Sequence, residues 1–186
     1  MSSQPHIVLP WTVRRTRLPL LSLRCVDCGT ASATTGEGRF RVNANGKLLD
    51  VWLLVRCVRC DRTNKLTVHE RVPVREVDAV ALRGYRDNDP GLVAETLLNP
   101  LFAHRNGFGL DWAGAWRLLG PPVPLDGDWP VRVEVSFDDP APVRPDRLIA
   151  HGLGLSRGEV VRRVKCEVSL RRTTSRAFSF TVLAGD

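Results

Sequence analysis

The clearest pattern in the chain is an alternation of apolar and polar residues in its first third. Residues 39–43 and 48–56 alternate with the period of two that is typical of half-buried strands. The Asn45-Gly46 pair between them favours a tight hairpin turn. Residues 64–74 can supply a third strand. The pattern therefore predicts a small antiparallel sheet within residues 1–75.

Helical spacing of apolar residues begins after this region. Residues 77–85 and 90–98 have such spacing, and Asp89 before Pro90 is typical of a helix N-terminus. A further short helix is predicted over residues 110–119. Residues 131–137 alternate cleanly and predict a strand, and the proline-rich residues 138–142 indicate a linker. We expect four aromatic residues of this segment to be core residues, the alternative being a patch that stacks on bases: Tyr85, Phe108, Trp112 and Trp116.

The last segment predicts two short helices joined by a tight turn within residues 143–165. Pro145 suits a helix start, and Ser156 with Glu159 three residues later forms the pattern of a capping box. We expect Val160, Val161 and Val164 to face inward. Residues 167–170 and 178–182 should form strands.

Four cysteines are placed in two equally spaced pairs on either side of the predicted hairpin. Cys25 and Cys28 form the first pair, and Cys57 and Cys60 form the second. Two residues between paired cysteines let a turn aim both sulfurs at one point, and two such turns complete a tetrahedral four-thiolate site. Gly29 follows the first pair, where positive φ is often needed. The spacing predicts a zinc ribbon holding one structural Zn²⁺, with no open coordination position for catalysis.

Two other interpretations of these cysteines stay open at the level of sequence. They can be buried free thiols, or one pair can be a redox Cys-X-X-Cys, which would need a strand–helix context that neither pair has. Cys166 has no partner at ligand spacing, and we expect it to be a small core residue.

The charge is distributed unevenly along the 186 residues. The formal net charge is +7, and it arises from basic segments 1–75 and 143–186 around an acidic segment 76–142. A basic surface attracts polyanions, although the excess of arginine over lysine is also what a GC-rich genome produces. No apolar run approaches the roughly 20 residues that cross a bilayer, and no signal peptide is recognisable. We expect a cytoplasmic protein, whose thiols remain reduced.

These features together predict an α+β fold in three segments. An antiparallel zinc ribbon occupies residues 1–75, and a helical and β segment occupies residues 76–142. Residues 143–186 are expected to form a helix-turn-helix with short strands.

The last segment resembles the small RNA-binding module called S-four. The matching positions are Arg144, Asp146, Arg147, Leu148, Ile149, Gly154, Leu155, Ser156 and Arg157. Pro145 departs from the usual leucine, and the Asn-Gly turn that normally follows the second helix is missing. The resemblance implies that five residues contact RNA phosphates: Arg144, Arg147, Arg157, Arg162 and Lys165.

The chain as a whole resembles a family of small bacterial proteins known as a domain of unknown function. The two cysteine pairs and residues 39–50 and 61–75 carry this resemblance, which implies no activity.

These features favour a cytoplasmic RNA-binding protein whose partner is an rRNA-like or tRNA-like molecule. A protein–protein adaptor and a DNA-binding or transcription-associated ribbon are the alternatives. No membrane partner or small-molecule substrate is indicated. The chain lacks the phosphate-binding loop, nucleophile elbow and metalloprotease motifs, so we do not expect an enzyme.

Overall fold

The computed structural model describes residues 7–35, 38–125 and 130–183, and it divides the chain into two compact units. One unit, which we call the split unit, combines Met1–Arg17 with Trp112–Asp186. The other, which we call the inserted unit, consists of Leu18–Asp111. The bounds of these units differ from the boundaries predicted at 75/76 and 142/143.

The strands of the described residues are β1 (Ile7–Arg15), β2 (Leu20–Ser22), β3 (Ala33–Thr34), β4 (Phe40–Asn45), β5 (Leu48–Cys57), β6 (Thr63–Pro73), β7 (Gly109–Asp111), β8 (Trp116–Leu119), β9 (Val131–Phe137), β10 (Val164–Cys166) and β11 (Phe178–Val182). The α-helices are α1 (Ala79–Asp87), α2 (Pro90–Leu98), α3 (Pro100–Arg105), α4 (Pro145–Leu153) and α5 (Arg157–Arg163). No helix in these described ranges is long and apolar enough to cross a membrane.

The sheet of the inserted unit is built around β5. Its strand order is β4-β5-β3-β2-β7, and β6 pairs with β5 on the other side. The predicted hairpin is confirmed, because β4 and β5 pair in antiparallel register around the Asn45-Gly46 turn. Alternate residues of β5 are 0–1% exposed, namely Leu49, Val51, Leu53 and Val55. The two faces of this sheet therefore differ sharply in burial.

Helices α1, α2 and α3 contribute to the core on the buried face of this sheet. Tyr85, Val93, Leu97 and Phe102 belong to the same cluster as the inward residues of β5. Each helix begins at an aspartate or asparagine whose side chain accepts hydrogen bonds from amides of the first turn. The predicted cap Asp89 is confirmed, since its Oδ1 accepts a hydrogen bond of 2.7 Å from the Leu92 amide.

The sheet of the split unit has the strand order β10-β11-β9-β1-β8. β1 pairs in parallel with β9, and the other neighbours are antiparallel. The helix predicted over residues 110–119 is wrong, because these residues supply β7 and β8 around a turn in which Gly114 has φ of 65°. Residues 138–142, predicted as a linker, connect β9 to α4 without helix or strand and are packed within the split unit. Ala141 is fully buried and the Asp138 amide donates to the Val13 carbonyl at 3.0 Å.

Helices α4 and α5 pack on the sheet of the split unit. Both hydrogen bonds of the predicted capping box at Ser156 and Glu159 are present. Val160 and Val164 are buried as predicted, but Val161 is 58% exposed because it lies about 100° around α5 from Val160. The strand predicted over residues 167–170 is wrong. The strand in this region, β10, begins directly after α5 and ends at Cys166.

The predicted α+β fold class, a zinc ribbon followed by helices and a C-terminal helix-turn-helix, is wrong. The residues that the structure describes are mostly β, with 38% in strands and 25% in helices, arranged in and around two multi-stranded sheets. The physical reason is that β1 and β8 join β9 and β11 in a sheet that covers one side of α4 and α5. The helix pair is thus one layer of a larger β unit.

Candidate metal centre and basic helix pair

Two turns of nearly identical backbone geometry hold the four cysteines. In the first turn the Gly29 amide donates to the Cys25 carbonyl at 3.0 Å, and in the second the Asp61 amide donates to the Cys57 carbonyl at 3.1 Å. Gly29 and Asp61 have φ of 72° and 59°, so each turn closes through a left-handed residue. The positive φ predicted for Gly29 is confirmed.

The four sulfur atoms converge on one point of the inserted unit. They lie within 4.8 Å of one another, with 3.6 Å between the Sγ atoms of Cys25 and Cys60 and 3.4 Å between those of Cys28 and Cys57. A zinc ion with Zn–S bonds of about 2.3 Å places tetrahedral sulfurs about 3.8 Å apart. The sulfurs are much farther apart than the ~2.05 Å of a disulfide. The group has the spacing and donor chemistry of a metal site.

The thiol pKa values differ widely across this group. The Thr30 hydroxyl and amide lower the pKa of Cys28 to about 6, and the Cys28 amide lowers the pKa of Cys25. The Arg62 amide lowers the pKa of Cys60, but burial and the other three thiols raise it to about 12. Bringing four thiolates together without a cation is therefore costly, and a bound divalent metal would remove that cost.

Ion pairs at the turns involve two of the surrounding arginines. Arg62 pairs with Asp27 of the other turn, and Arg56 Nη1 lies 3.4 Å from Asp61 Oδ2. Arg62 also interacts electrostatically with Cys25 and Cys60. Cys166 is half-buried in the split unit, where burial raises its pKa. It lies outside the cysteine group.

The predicted RNA-contacting residues of the helix pair fall into two classes. Arg144 makes a two-pronged contact with Asp146, with Nε–Oδ1 at 3.1 Å and Nη2–Oδ2 at 2.7 Å. Arg157 Nε donates to the same Oδ2 at 2.9 Å. The Asp146 side chain is only 4% exposed, so these two arginines satisfy a buried carboxylate that joins α4 to α5. Burial raises the pKa of Asp146, but the two guanidinium groups outweigh it and hold that pKa below its ordinary value.

The other three predicted residues are exposed. Arg147 lies on α4, Arg162 on the last turn of α5 and Lys165 on β10. None of the three forms an ion pair with the residues that the structure describes. They are free to meet an external anion.

The segment between β10 and β11 brings further arginines to the start of α4. The resemblance to the S-four module did not predict these arginines. The Asp146 amide donates to the Leu170 carbonyl at 3.0 Å, and Val143 and Thr174 exchange backbone hydrogen bonds. Exposed arginines 171, 172 and 176 belong to this segment. The excess of basic residues in 143–186 was the only sequence feature that pointed to these arginines. Their proximity to α4 depends on how the sheet of the split unit pairs, which the sequence does not show.

Comparison with known proteins assigns the chain to a family without assigning an activity. No curated protein and no solved structure matches it. A family described as "Protein of unknown function (DUF1062)" matches residues 42–174, which include the second cysteine pair and both helices α4 and α5. Because the match covers well over half of the chain, this protein belongs to the DUF1062 family.

Proposed function

We propose that the protein binds RNA and that its four cysteines hold one structural Zn²⁺ ion. The observation that carries the metal assignment is the convergence of four sulfurs within 4.8 Å on two matched turns. A complete thiolate set leaves no ligand position for substrate, so the metal would stabilise the inserted unit rather than catalyse a reaction. Zinc is the ion that four thiolates most commonly hold in this arrangement.

Metal analysis of the purified protein tests this assignment. We expect about one zinc per chain, loss of zinc in Cys28→Ser and Cys60→Ser, and full retention in Cys166→Ser, whose thiol lies outside the group. A chelator should lower the melting temperature of the parent protein and of Cys166→Ser alike. Protein free of metal, or with Cys25–Cys60 or Cys28–Cys57 bridges by mass spectrometry, would contradict the assignment.

The RNA assignment is supported by the cations on and beside the helix pair. Arg147 and Arg162 are exposed on the helix pair, and Lys165 is exposed on β10. Exposed arginines 171, 172 and 176 belong to the segment whose backbone bonds to the start of α4. Exposed guanidinium and ammonium groups bind phosphates, with affinity that falls as salt rises. The protein would contact the RNA backbone through these side chains.

The test removes two exposed cations that form no ion pair among the described residues; Arg162 has only an electrostatic interaction with Glu159 of the same helix. Arg157→Ala is unsuitable, because it would also deprive buried Asp146 of a hydrogen bond. We therefore combine Arg162→Ala with Lys165→Ala and compare it with a control that combines Arg83→Ala and Arg86→Ala, two exposed arginines of α1.

Binding is measured by fluorescence anisotropy with a structured RNA at several salt concentrations. The double variant should bind more weakly, and the slope of log affinity against log salt should fall by about one for each lost phosphate contact. The control variant should match the parent. Unchanged affinity in the double variant would show that Arg162 and Lys165 do not contact the RNA. Stronger competition by duplex DNA than by structured RNA would favour the DNA-binding alternative.

A further inference from the structure

The face of the inserted unit's sheet opposite its core carries a partly exposed aromatic residue. Helices α1–α3 contribute to the core on one face of β5, where Val51 and Leu53 are fully buried. Trp52 and Leu54 alternate with these two residues and are only half-buried. Because successive side chains of a strand point to opposite faces, the indole of Trp52 lies on the side of the sheet away from the helices.

Two exposed cations flank Trp52 on this outer face. Arg41 of β4 lies directly opposite Trp52, and Lys65 of β6 lies opposite Leu54 in the next row of the sheet. Residues directly opposite in antiparallel strands share a face. The Lys65 Nζ lies over the Trp52 ring, 4.9 Å from its centroid, in a cation–π contact. The ring is therefore bordered by positive charge on both neighbouring strands.

The nearby acidic groups leave this charge largely uncompensated. Neither Arg41 nor Lys65 forms an ion pair among the residues that the structure describes. Asp50, two positions before Trp52 on the same face of β5, accepts a hydrogen bond of 2.8 Å from the neutral Arg71 amide and keeps its negative charge, so one carboxylate stands against two cations. Asp61 lies against Arg56. An anionic partner would meet Arg41, which has no ion pair among these described residues, and Lys65, whose ammonium lies over the Trp52 ring.

We propose that this outer face binds single-stranded RNA, with one base stacked on Trp52 and the adjacent phosphates on Arg41 and Lys65. The proposal rests on the proposed RNA-binding function and adds a second contact surface to it. An aromatic ring on an open sheet can stack only on a base that is unpaired, and flanking cations hold the backbone that carries it. The Thr67 hydroxyl, opposite Trp52 in the same row, offers a partner for a ribose 2′-hydroxyl.

Stacking is tested with Trp52→Ala and Trp52→Phe. Binding of a fluorescein-labelled oligouridine 12-mer is measured by anisotropy, with zinc content and melting temperature checked for each variant. We expect Trp52→Ala to weaken binding about tenfold and Trp52→Phe, which keeps a ring, to weaken it much less. If Trp52→Ala does not fold, Trp52→Leu takes its place, because leucine keeps an apolar side chain and lacks a ring. Equal affinities of the parent and the folded ringless variant would overturn the proposal.

The charged contacts are tested with a combination of Arg41→Ala and Lys65→Ala. The slope of log affinity against log salt should fall by about 1.4 for the loss of two single-strand phosphate contacts, and Lys47→Ala in the hairpin turn should leave it unchanged. The combined Arg162→Ala and Lys165→Ala variant, measured with the same oligonucleotide, distinguishes binding at the helix pair from binding at the sheet. If only those variants weaken binding, the sheet proposal fails and the helix-pair proposal stands. If the parent binds no RNA, both fail, and equal affinity for the matching DNA overturns the assignment to RNA.

Discussion

Gly29 and Asp61 occupy the same position in the two cysteine turns, and both have a left-handed backbone. Each amide donates to the carbonyl of the first cysteine of its pair. The φ values of 72° and 59° are natural for glycine but strained for an aspartate. The two turns are thus equivalent in geometry and unequal in strain.

Gly29→Ala should destabilise the inserted unit by about 1–2 kcal/mol. A Cβ at this position would meet no atom within 4 Å, so the left-handed backbone is the only source of the cost. Urea unfolding of the metal-loaded protein measures the change. Val26→Ala, at a 76% exposed position of the same turn, serves as the control. An alanine variant as stable as the parent would show that the turn adopts another backbone conformation.

Asn88→Ala should destabilise the inserted unit more than Asn88→Gly. Asn88 ends α1 with φ of 54°, and its Oδ1 accepts a hydrogen bond of 2.6 Å from the amide of buried Phe40. Glycine keeps the backbone and loses only that hydrogen bond, at about 1–2 kcal/mol. Alanine loses both, which adds roughly 1 kcal/mol. Unfolding midpoints in urea give the order, and equal effects would mean that the backbone contributes nothing.

The local features of the site were predictable from sequence, and the long-range pairings were not. The cysteine turns and the Ser156 capping box depend on residues within a few positions of one another. The pairing of β1 with β9 joins residues more than 120 positions apart, and nothing in the alternation of either strand identifies its neighbour. Trp52 was missed for the same reason, since its cationic neighbours are set by the register of three strands.

The misassignment of residues 110–119 has a similar cause. Trp112 and Trp116 are spaced like residues on one helical face, and both do pack against the core of the split unit. Helical and strand periodicity are ambiguous over so short an apolar run. The left-handed turn at Gly114 interrupts this run, so that its two halves belong to the separate strands β7 and β8. By contrast, Tyr85 and Phe108 are core residues as expected, each 7% exposed.

Gly152→Ala should destabilise the split unit by about 1–3 kcal/mol. A Cβ on Gly152 would lie 2.3 and 2.5 Å from two ring carbons of Trp11, which is itself 2% exposed, so the indole or α4 would have to shift. Thermal or urea unfolding measures the loss. Gly158→Ala in α5 is the matched control, because a Cβ there meets only Ser156 Oγ at 3.9 Å. The control should be neutral or slightly stabilising, and a neutral Gly152→Ala would contradict the close packing of α4 on Trp11.

Asp146→Asn should destabilise the split unit by about 2 kcal/mol at neutral pH. Removing one member of a buried ion pair costs about 3–5 kcal/mol, and the partial exposure of Arg144 and Arg157 reduces this cost. The pKa of Asp146 lies below its ordinary value in the folded protein. The stabilisation is therefore complete above about pH 4, near the pKa of the unfolded chain, and is lost as pH falls through the folded pKa.

The pH dependence distinguishes the charge of Asp146 from its shape. The difference in unfolding free energy between the parent and Asp146→Asn should be constant from pH 7 to about pH 5 and should narrow below about pH 4. Urea unfolding at a series of pH values measures it. Asp138→Asn removes an exposed pair with Arg14 and should cost less than about 1 kcal/mol. A difference for Asp146→Asn that does not change with acidification would mean that the two arginines do not stabilise the ionised carboxylate, and that α4 and α5 are joined by apolar packing alone.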